Sequence, residues 1–233
     1  MPYRNMTLEE LARHIGIDAR LVRKWAEKGK LPGQLIGGEW RFNRATLLDW
    51  LQQKMHTLDE PHIRNLERAM REGADNRLIE LYLATEAVEM NLPAYTRASV
   101  LRELVRLAER TGLVYNGPEI VSALEEREAM GPTALPRGIA FPHPRRPLAY
   151  ATAEPLVCLA RVPQGVPFGA PDGRLTDIFV LVCAPDHRLH LGLLARLAMM
   201  FNSDLPNALR QVADSRAALE LMLRKEAEVV AGK

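Results

Sequence analysis

The spacing of apolar residues divides the chain into a helical first quarter and a longer part in which helices alternate with short apolar runs. In the first quarter, apolar side chains recur every three or four positions, as on one face of an α-helix. The longer part has the same period over 96–110, 118–128, 189–202, 205–212 and 215–226. Nearly all-apolar runs with the length of buried strands occur at 138–142, 156–162 and 177–184. We therefore predict an α/β domain whose sheet is covered by helices on both faces.

The first 56 residues have the order of elements typical of a helix-turn-helix. A capping box at Thr7 and Glu10 opens a first helix, which ends at Gly16. Asp18 caps a second helix whose outward positions are mostly basic. A Gly37-Gly38 pair then predicts the turn of a hairpin, and a final helix follows that hairpin.

Charge changes the interpretation of this N-terminal module. Residues 1–56 carry ten Lys or Arg against six Asp or Glu, whereas the net charge of the whole chain is only +2. The rest of the chain is therefore slightly acidic. A basic module on an acidic body predicts an anionic partner for the module, and nucleic acid is the partner that fits a helix-turn-helix.

The module resembles the excisionase and MerR-like winged helix-turn-helix domains, through the stretch "TLEELARHIGIDARLVRKWAEKGKLPGQLIGGEWRFNRATLLDWL". In that family the second helix enters the major groove of DNA and the wing contacts the backbone. The resemblance implies base or phosphate contacts by Arg20, Arg23 and Lys24. It implies phosphate contacts by Lys28, Lys30 and Arg41. We expect residues 1–56 to form a DNA-binding domain and not merely a solvated basic face.

Residues 57–76 predict a helical linker. Ile63, Leu66 and Met70 form a narrow apolar stripe among charged positions. A helix this short is not stable alone, so the stripe must pack on a domain or on a second copy of the chain. A homodimer through the linker helix or the winged helix-turn-helix would suit DNA binding across half-sites. The sequence does not decide whether the stripe packs on a domain of its own chain or on a second copy.

The cysteines and the hydropathy of the sequence indicate the compartment in which we expect the protein. Cys158 and Cys183 lie inside apolar runs, which predicts buried free thiols in a reducing compartment. No signal-peptide core and no membrane-spanning run is evident, so we expect a cytoplasmic protein with no membrane partner. No spacing typical of a metal site occurs, and we expect no metal and no cofactor.

The stretch at 138–144 ends a predicted strand at a histidine between two prolines. Pro142 and Pro144 restrict the backbone, so the His143 imidazole is displayed in a limited range of orientations. A neutral imidazole, with a reference pKa of about 6.5, is a nucleophile that can accept a phosphoryl group. By itself an H-P pair is more often a simple turn, so its neighbours decide the interpretation.

Those neighbours resemble the phosphotransferase-system enzyme IIA domain of the fructose/mannitol and nitrogen-regulatory type, through "EEREAMGPTALPRGIAFPHP" and, further on, "HLGLLARLA". The resemblance implies an α/β sandwich with a mixed sheet over residues 77–233. It implies that His143 accepts phosphate from HPr, that Arg127 faces the phosphate, and that His190 is a second active-site imidazole. His187 is expected to be an exposed loop residue.

Two positions depart from that family's pattern. Pro144 replaces the glycine after the active histidine, which removes a backbone N–H that could face phosphate. Pro132 replaces the serine of the G-S-T signature, which removes a hydroxyl and another N–H. Both positions lie where phosphate would bind.

Together these features predict a DNA-binding regulator whose IIA domain is phosphorylated on His143 and couples phosphotransferase status to transcription. A transport IIA would pass phosphate to a IIB domain beside a membrane IIC, whereas this sequence has a predicted DNA-binding domain in their place. One alternative is a IIA-like sensing or interaction module that no longer transfers phosphate. The other is a plain phosphocarrier whose N-terminal module binds protein.

Overall fold

The computed structural model describes residues 5–70 and 77–232, which form a small N-terminal unit and a larger α/β unit. The elements up to residue 70 are β1 (Asn5–Met6), α1 (Leu8–Ile15), α2 (Ala19–Glu27), β2 (Gln34–Ile36), β3 (Glu39–Asn43), α3 (Arg44–Lys54), a 3-10 turn (Met55–Thr57) and α4 (Glu60–Met70). Those that follow are α5 (Leu78–Tyr82), a 3-10 turn (Thr85–Ala87), β4 (Val88–Glu89), α6 (Arg97–Glu109), α7 (Gly117–Ala129), β5 (Ala134–Leu135), β6 (Ile139–Ala140), β7 (Leu156–Val166), β8 (Thr176–Cys183), α8 (His187–Phe201), α9 (Leu205–Gln211) and α10 (Ser215–Val230).

The N-terminal unit is a helix-turn-helix with a small antiparallel sheet of order β1-β3-β2. The capping box predicted at Thr7 and Glu10 is present, and both of its hydrogen bonds form. Gly16 ends α1 with a φ of 68°, and a Cβ there would lie 2.7 Å from the Asn65 carbonyl oxygen of α4. Glycine is therefore required both by the left-handed turn and by the close approach of α1 to α4.

The larger unit is built on a mixed five-stranded sheet of order β4-β7-β8-β6-β5, which confirms the predicted α/β class. The central β7 and β8 are antiparallel, whereas β4 is parallel to β7 and β6 is parallel to β8. The side chains of β8 are buried with one exception, as expected for a strand covered by helices.

Parallel pairing between β6 and β8 brings the motifs that contain His143 and His190 to the same end of the sheet. Beyond the end of β6, the Val182 amide donates to the Pro142 carbonyl at 3.0 Å, so the chain stays beside β8 up to His143. The chain leaves β8 at Cys183 and enters α8 at His187. The end of β6 and the first turn of α8 therefore lie side by side.

The linker helix α4 packs against α1 and α8 of the same chain. Its apolar stripe of Ile63, Leu66 and Met70 is buried there, so the stripe packs on the same chain and not on a second copy. That stripe is therefore not free to join a second copy of the chain. The remainder of the predicted linker, residues 71–76, lies outside the described residues.

A buried cluster of charges fastens α4 to the larger unit. The Arg196 guanidinium of α8 donates to Glu67 of α4 and to Glu226 of α10, each at 2.7 Å. Glu226 also accepts from the amides of Ile79 and Glu80 at 2.8 and 2.9 Å. Because a buried carboxylate is stable only when it is paired, this cluster holds three helices in one arrangement.

Cys158 and Cys183 are both buried and unbridged, as the sequence predicted. Burial raises the pKa of Cys158 well above its usual value and that of Cys183 to about 12, so neither is a reactive thiolate. Within 5–70 and 77–232, no helix is long and apolar enough to cross a membrane. No group of three or more His, Cys, Asp or Glu in those ranges is arranged to hold a metal ion.

Candidate functional site

His143 lies at the edge of the sheet with a ring that is only 3% exposed. Its Nδ1 is 2.6 Å from the Phe141 carbonyl oxygen, which can only accept, so Nδ1 carries the proton. The lone pair is then on Nε2, which is buried and has no hydrogen-bond partner among the described residues. This tautomer leaves Nε2 as the nucleophilic nitrogen.

His190 lies in the first turn of α8, where the Asp186 carboxylate caps the helix. Its ring is 1% exposed and meets the His143 ring edge to face, with the centroids 5.0 Å apart. Its Nε2 is likewise buried and unpartnered in the part of the chain that the structure describes. The two imidazoles therefore form a pair with unsatisfied polar atoms in one buried place.

Arg127, in the last turn of α7, is 4% exposed and donates from Nη1 to the Gly131 carbonyl at 2.8 Å. Its neighbour Glu128 accepts from the Thr133 amide at 3.2 Å and from the Thr133 hydroxyl. The two side chains thus hold the loop 131–133 from both ends. Glu128 and Thr133 were not among the predicted site residues, although both lie in the stretch "EEREAMGPTALPRGIAFPHP" that carries the resemblance, and Thr133 is the threonine of its G-S-T signature.

Burial and neighbouring charge set the protonation of this site. Burial, then His190 and Arg127, lower the pKa of His143 well below its usual value. Burial, then His187 and Arg127, lower the pKa of His190 to about 3. Both rings are therefore neutral at pH 7, and a neutral ring retains the lone pair that nucleophilic attack requires.

A cavity of about 50 Å³ adjoins His143, Arg127 and the loop 131–133. Its wall also includes Gln52, Gln53 and Met55 from the N-terminal unit. All three residues that the sequence predicted for the site are therefore in one place: Arg127 and His143 line the cavity, and His190 is in ring contact with His143.

The prediction for His187 was wrong. His187 is the first residue of α8 and is half-buried, because the Asp186 carboxylate caps the helix two residues before its predicted start. Burial, followed by the charge of Arg44 in α3, lowers the pKa of His187. A residue expected on an open loop therefore faces the N-terminal unit.

The predicted DNA contacts lie on a second surface. Arg20, Arg23 and Lys24 are exposed on α2, and Lys28 and Lys30 are exposed in the turn that follows. Arg41 differs from them, because its guanidinium is half-buried and paired with Glu39 at 2.6 Å. A phosphate contact by Arg41 would have to compete with that carboxylate.

Acid is expected to destabilise the protein through its buried histidines. In the unfolded chain a histidine titrates near pH 6.5, whereas His190 in the folded chain titrates at about 3. Below pH 6.5 the unfolded state therefore binds more protons, and the free energy of unfolding falls as pH falls. Between pH 7.5 and pH 5, His190 alone should cost about 2 kcal/mol, measurable by urea denaturation.

The matched variant is His190→Gln, which keeps the shape of the side chain and removes the titration. Its unfolding free energy should depend less steeply on pH than that of the wild type, by about 2 kcal/mol over the same interval. An unchanged dependence would show that His190 is not held neutral in the folded state.

Comparisons with known proteins match both units. The family model described as "Phosphoenolpyruvate-dependent sugar phosphotransferase system, EIIA 2" matches residues 81–225. A helix-turn-helix domain model matches residues 6–55. A "Nitrogen regulatory protein" of Bradyrhizobium diazoefficiens is 31% identical over 145 residues, covering 60% of this chain and 91% of that protein. A fructose-specific EIIA component of Haloferax volcanii is 29% identical over 119 residues, covering 49% of this chain and 75% of that protein.

Solved structures agree on the fold. The nitrogen regulatory protein IIA-Ntr of Neisseria meningitidis aligns with a TM-score of 0.57 at 23% identity, over 62% of this chain and 99% of that one. IIA mannitol of Escherichia coli aligns with a TM-score of 0.52 at 22% identity, over 60% and 97%. The family match extends over more than half of the sequence and includes the pair of buried histidines and Arg127. This chain belongs to the EIIA type 2 family of the phosphoenolpyruvate-dependent sugar phosphotransferase system, and its IIA domain follows a helix-turn-helix domain.

Proposed function

We propose that this protein is a DNA-binding regulator whose IIA domain accepts a phosphoryl group from HPr on His143. The observation that carries the proposal is the state of His143 Nε2, which is neutral, buried and without a partner among the described residues. A buried nitrogen left unpaired has an energetic cost that function would explain. Arg127 and His190 beside it can supply the positioning and charge stabilisation on which phosphoryl transfer depends.

The transfer step balances without an external acid or base. The Nε2 lone pair of His143 attacks the phosphorus of phosphohistidine in HPr, and the donor ring leaves with the electrons of the old N–P bond. Each ring keeps the proton on its other nitrogen, so one phosphoryl group moves and no proton does. The product ring of His143 is cationic, and the Phe141 carbonyl stabilises it by accepting from Nδ1–H.

Arg127 is the main group available to stabilise the negative charge of the transferred phosphoryl group. Pro144 and Pro132 have no N–H to offer, and the Thr133 amide already donates to Glu128. The guanidinium is within the same cavity wall as His143 and supplies donors in a fixed fork. A preorganised cation in a site that excludes water stabilises developing charge more than it would in water, which favours transfer here.

Incubation of the full chain with enzyme I, HPr and phosphoenolpyruvate tests the proposal. We expect one acid-labile phosphoryl group per chain, which is the behaviour of a phosphohistidine. The control is a standard IIA domain labelled under the same conditions. No label on this chain would favour the alternative of a sensing module that has lost transfer, for which Pro132 and Pro144 are the supporting observations.

DNA binding through α2 is expected to depend steeply on salt. Released counterions make the logarithm of affinity fall linearly with the logarithm of salt concentration, with a slope near the number of phosphate contacts. The double variant Arg23→Ala, Lys24→Ala should lose about tenfold to a hundredfold in affinity for a mixed-sequence duplex and reduce that slope by about 2. Fluorescence anisotropy over a salt series measures both.

The matched control for this prediction is Arg102→Ala with Arg106→Ala, which removes two exposed cations from α6 of the IIA domain. Its affinity and slope should equal those of the wild type. Equal losses in both double variants would count against α2 as the recognition helix. Anisotropy before and after phosphorylation then measures the coupling between the two domains.

A further inference from the structure

Helix α3 of the helix-turn-helix unit lies over the face that carries His143. The Arg145 guanidinium, two residues after the histidine, makes a two-pronged ion pair with the Asp49 carboxylate of α3, at 3.0 Å from Nε and 2.6 Å from Nη2. The Gln52 side-chain amide also contacts the Arg145 carbonyl, at 3.4 Å. One turn of α3 is thus bonded to the segment that presents the histidine.

This contact restricts access to the site. The cavity beside His143 has a volume of about 50 Å³, which admits a few water molecules at most. Gln52, Gln53 and Met55 form part of its wall, and His143 is 3% exposed. In direct transfer the donor imidazole must reach Nε2 with nothing in between. A carrier protein and α3 therefore cannot occupy this face together.

We propose that the helix-turn-helix unit is an intramolecular cap on the phosphoryl-acceptor face, latched by the Asp49–Arg145 pair, and that HPr competes with α3 for this face. The proposal rests on the proposed function for the identity of the competitor. The occupant in this structure is α3 of the same chain. Competition of this kind makes access to His143 depend on the position of the DNA-binding unit.

The contacts of α4 determine where the helix-turn-helix unit can move away from the IIA domain. Arg196 pairs with Glu67 of α4 inside the protein, and Arg188 donates to the Met70 carbonyl at the end of α4 at 3.0 Å. Helix α4 therefore stays with the IIA domain. The cap has to turn at the short segment 55–59 between α3 and α4, and α1 then loses its contact with α4.

A phosphoryl group on His143 opposes the closed arrangement. Burial lowers the pKa of Arg127, the carboxylates of Glu128 and Asp49 raise it, and the charge of Arg145 lowers it, so both members of the Asp49–Arg145 pair act on the phosphate-facing cation. A phosphoryl dianion on His143 Nε2 would fill this cavity up to the wall that Gln52, Gln53 and Met55 form, next to the charges of that pair. We therefore expect phosphorylation to disfavour capping, and by linkage each weakens the other to the same extent.

The first measurement is the initial rate at which HPr labels the full chain. In Asp49→Arg a like charge faces Arg145, and we expect labelling about tenfold faster than in the wild type. Asp49→Asn should act in the same direction by about threefold and serves if the arginine variant does not fold. Exchange of the pair, Asp49→Arg with Arg145→Asp, should restore a slow rate. Glu220→Arg on the exposed face of α10 makes the same charge change away from the cap and should leave the rate unchanged.

The second measurement needs no carrier. Diethyl pyrocarbonate modifies neutral imidazoles, and peptide mass spectrometry reports modification of His143 by itself. We expect protection of His143 in the wild type and in Glu220→Arg, and faster modification in Asp49→Arg and Asp49→Asn. Equal modification and equal labelling in all of these proteins would overturn the cap. Faster modification without labelling in any of them would uphold the cap and reject HPr as its competitor.

Discussion

Replacement of His143 by glutamine should abolish labelling by HPr. Glutamine keeps a side-chain amide near the position of Nε2 but has no lone pair able to form an N–P bond, so the reacting atom is removed with little change of volume. The expected rate is at background, at least about a hundredfold below the wild type. The measurement is transfer of labelled phosphate from phosphoenolpyruvate through enzyme I and HPr.

Two further histidine variants make this result specific. His190→Gln removes the second imidazole but leaves the acceptor, so labelling should continue at a rate lower by about tenfold to a hundredfold. His62→Gln changes a partly exposed histidine of α4 outside the cavity and should label like the wild type. Label retained by His143→Gln would assign the acceptor to another residue.

Replacement of Arg196 by methionine should lower the free energy of unfolding by about 3–5 kcal/mol. The change leaves the carboxylates of Glu67 and Glu226 buried, 5% and 1% exposed, without the cation that they share. An uncompensated buried charge is much more costly than a lost surface pair. Urea denaturation at pH 7.5 measures the loss.

A second substitution separates the missing cation from a general loss of packing. In Arg196→Met with Glu67→Met one of the two orphaned charges is removed, and part of the lost stability should return. The surface control is Arg216→Met, whose pair with Glu220 is exposed, and it should change stability by less than about 1 kcal/mol. A double variant no more stable than Arg196→Met would mean that packing and not charge sets the cost.

Local physical chemistry explains why so many elements were predictable. Several signals act within a few residues and can be recognised in the sequence alone. They are the capping box at Thr7 and Glu10, the glycine at the end of α1, and the periodicity of α6 and α8. The apolar runs became β6, β7 and β8 within a few residues of their predicted ends. The start of α8 was misplaced because a single cap, Asp186, outweighed the apolar period.

The residues of the candidate site could be predicted from the sequence, but their burial and protonation could not. Motif resemblance named Arg127, His143 and His190, because their spacing is retained in the sequence. Their burial, the tautomer of His143 and the lowered pKa values depend on neighbours from other elements. The hydrogen bonds of Glu128 to Thr133 depend in the same way on the path of the loop 131–133.

By itself the sequence determined the two domain types, the longer helices, the β2–β3 hairpin and the strands β6, β7 and β8, and its motifs named three side chains of the candidate site. These follow from periodicity, capping or a short motif, whereas the short elements β1, β4, β5 and α5 were not predicted. Only the tertiary structure decided that the stripe of α4 packs inside the chain, that Arg196 joins α4 to α10, and that Asp49 of α3 pairs with Arg145 beside His143. The pairs responsible are distant in sequence: Asp49 and Arg145 are 96 residues apart, and Glu67 and Arg196 are 129 apart. No local pattern selects one carboxylate among many for a given arginine, since that choice is made by the packing of whole helices.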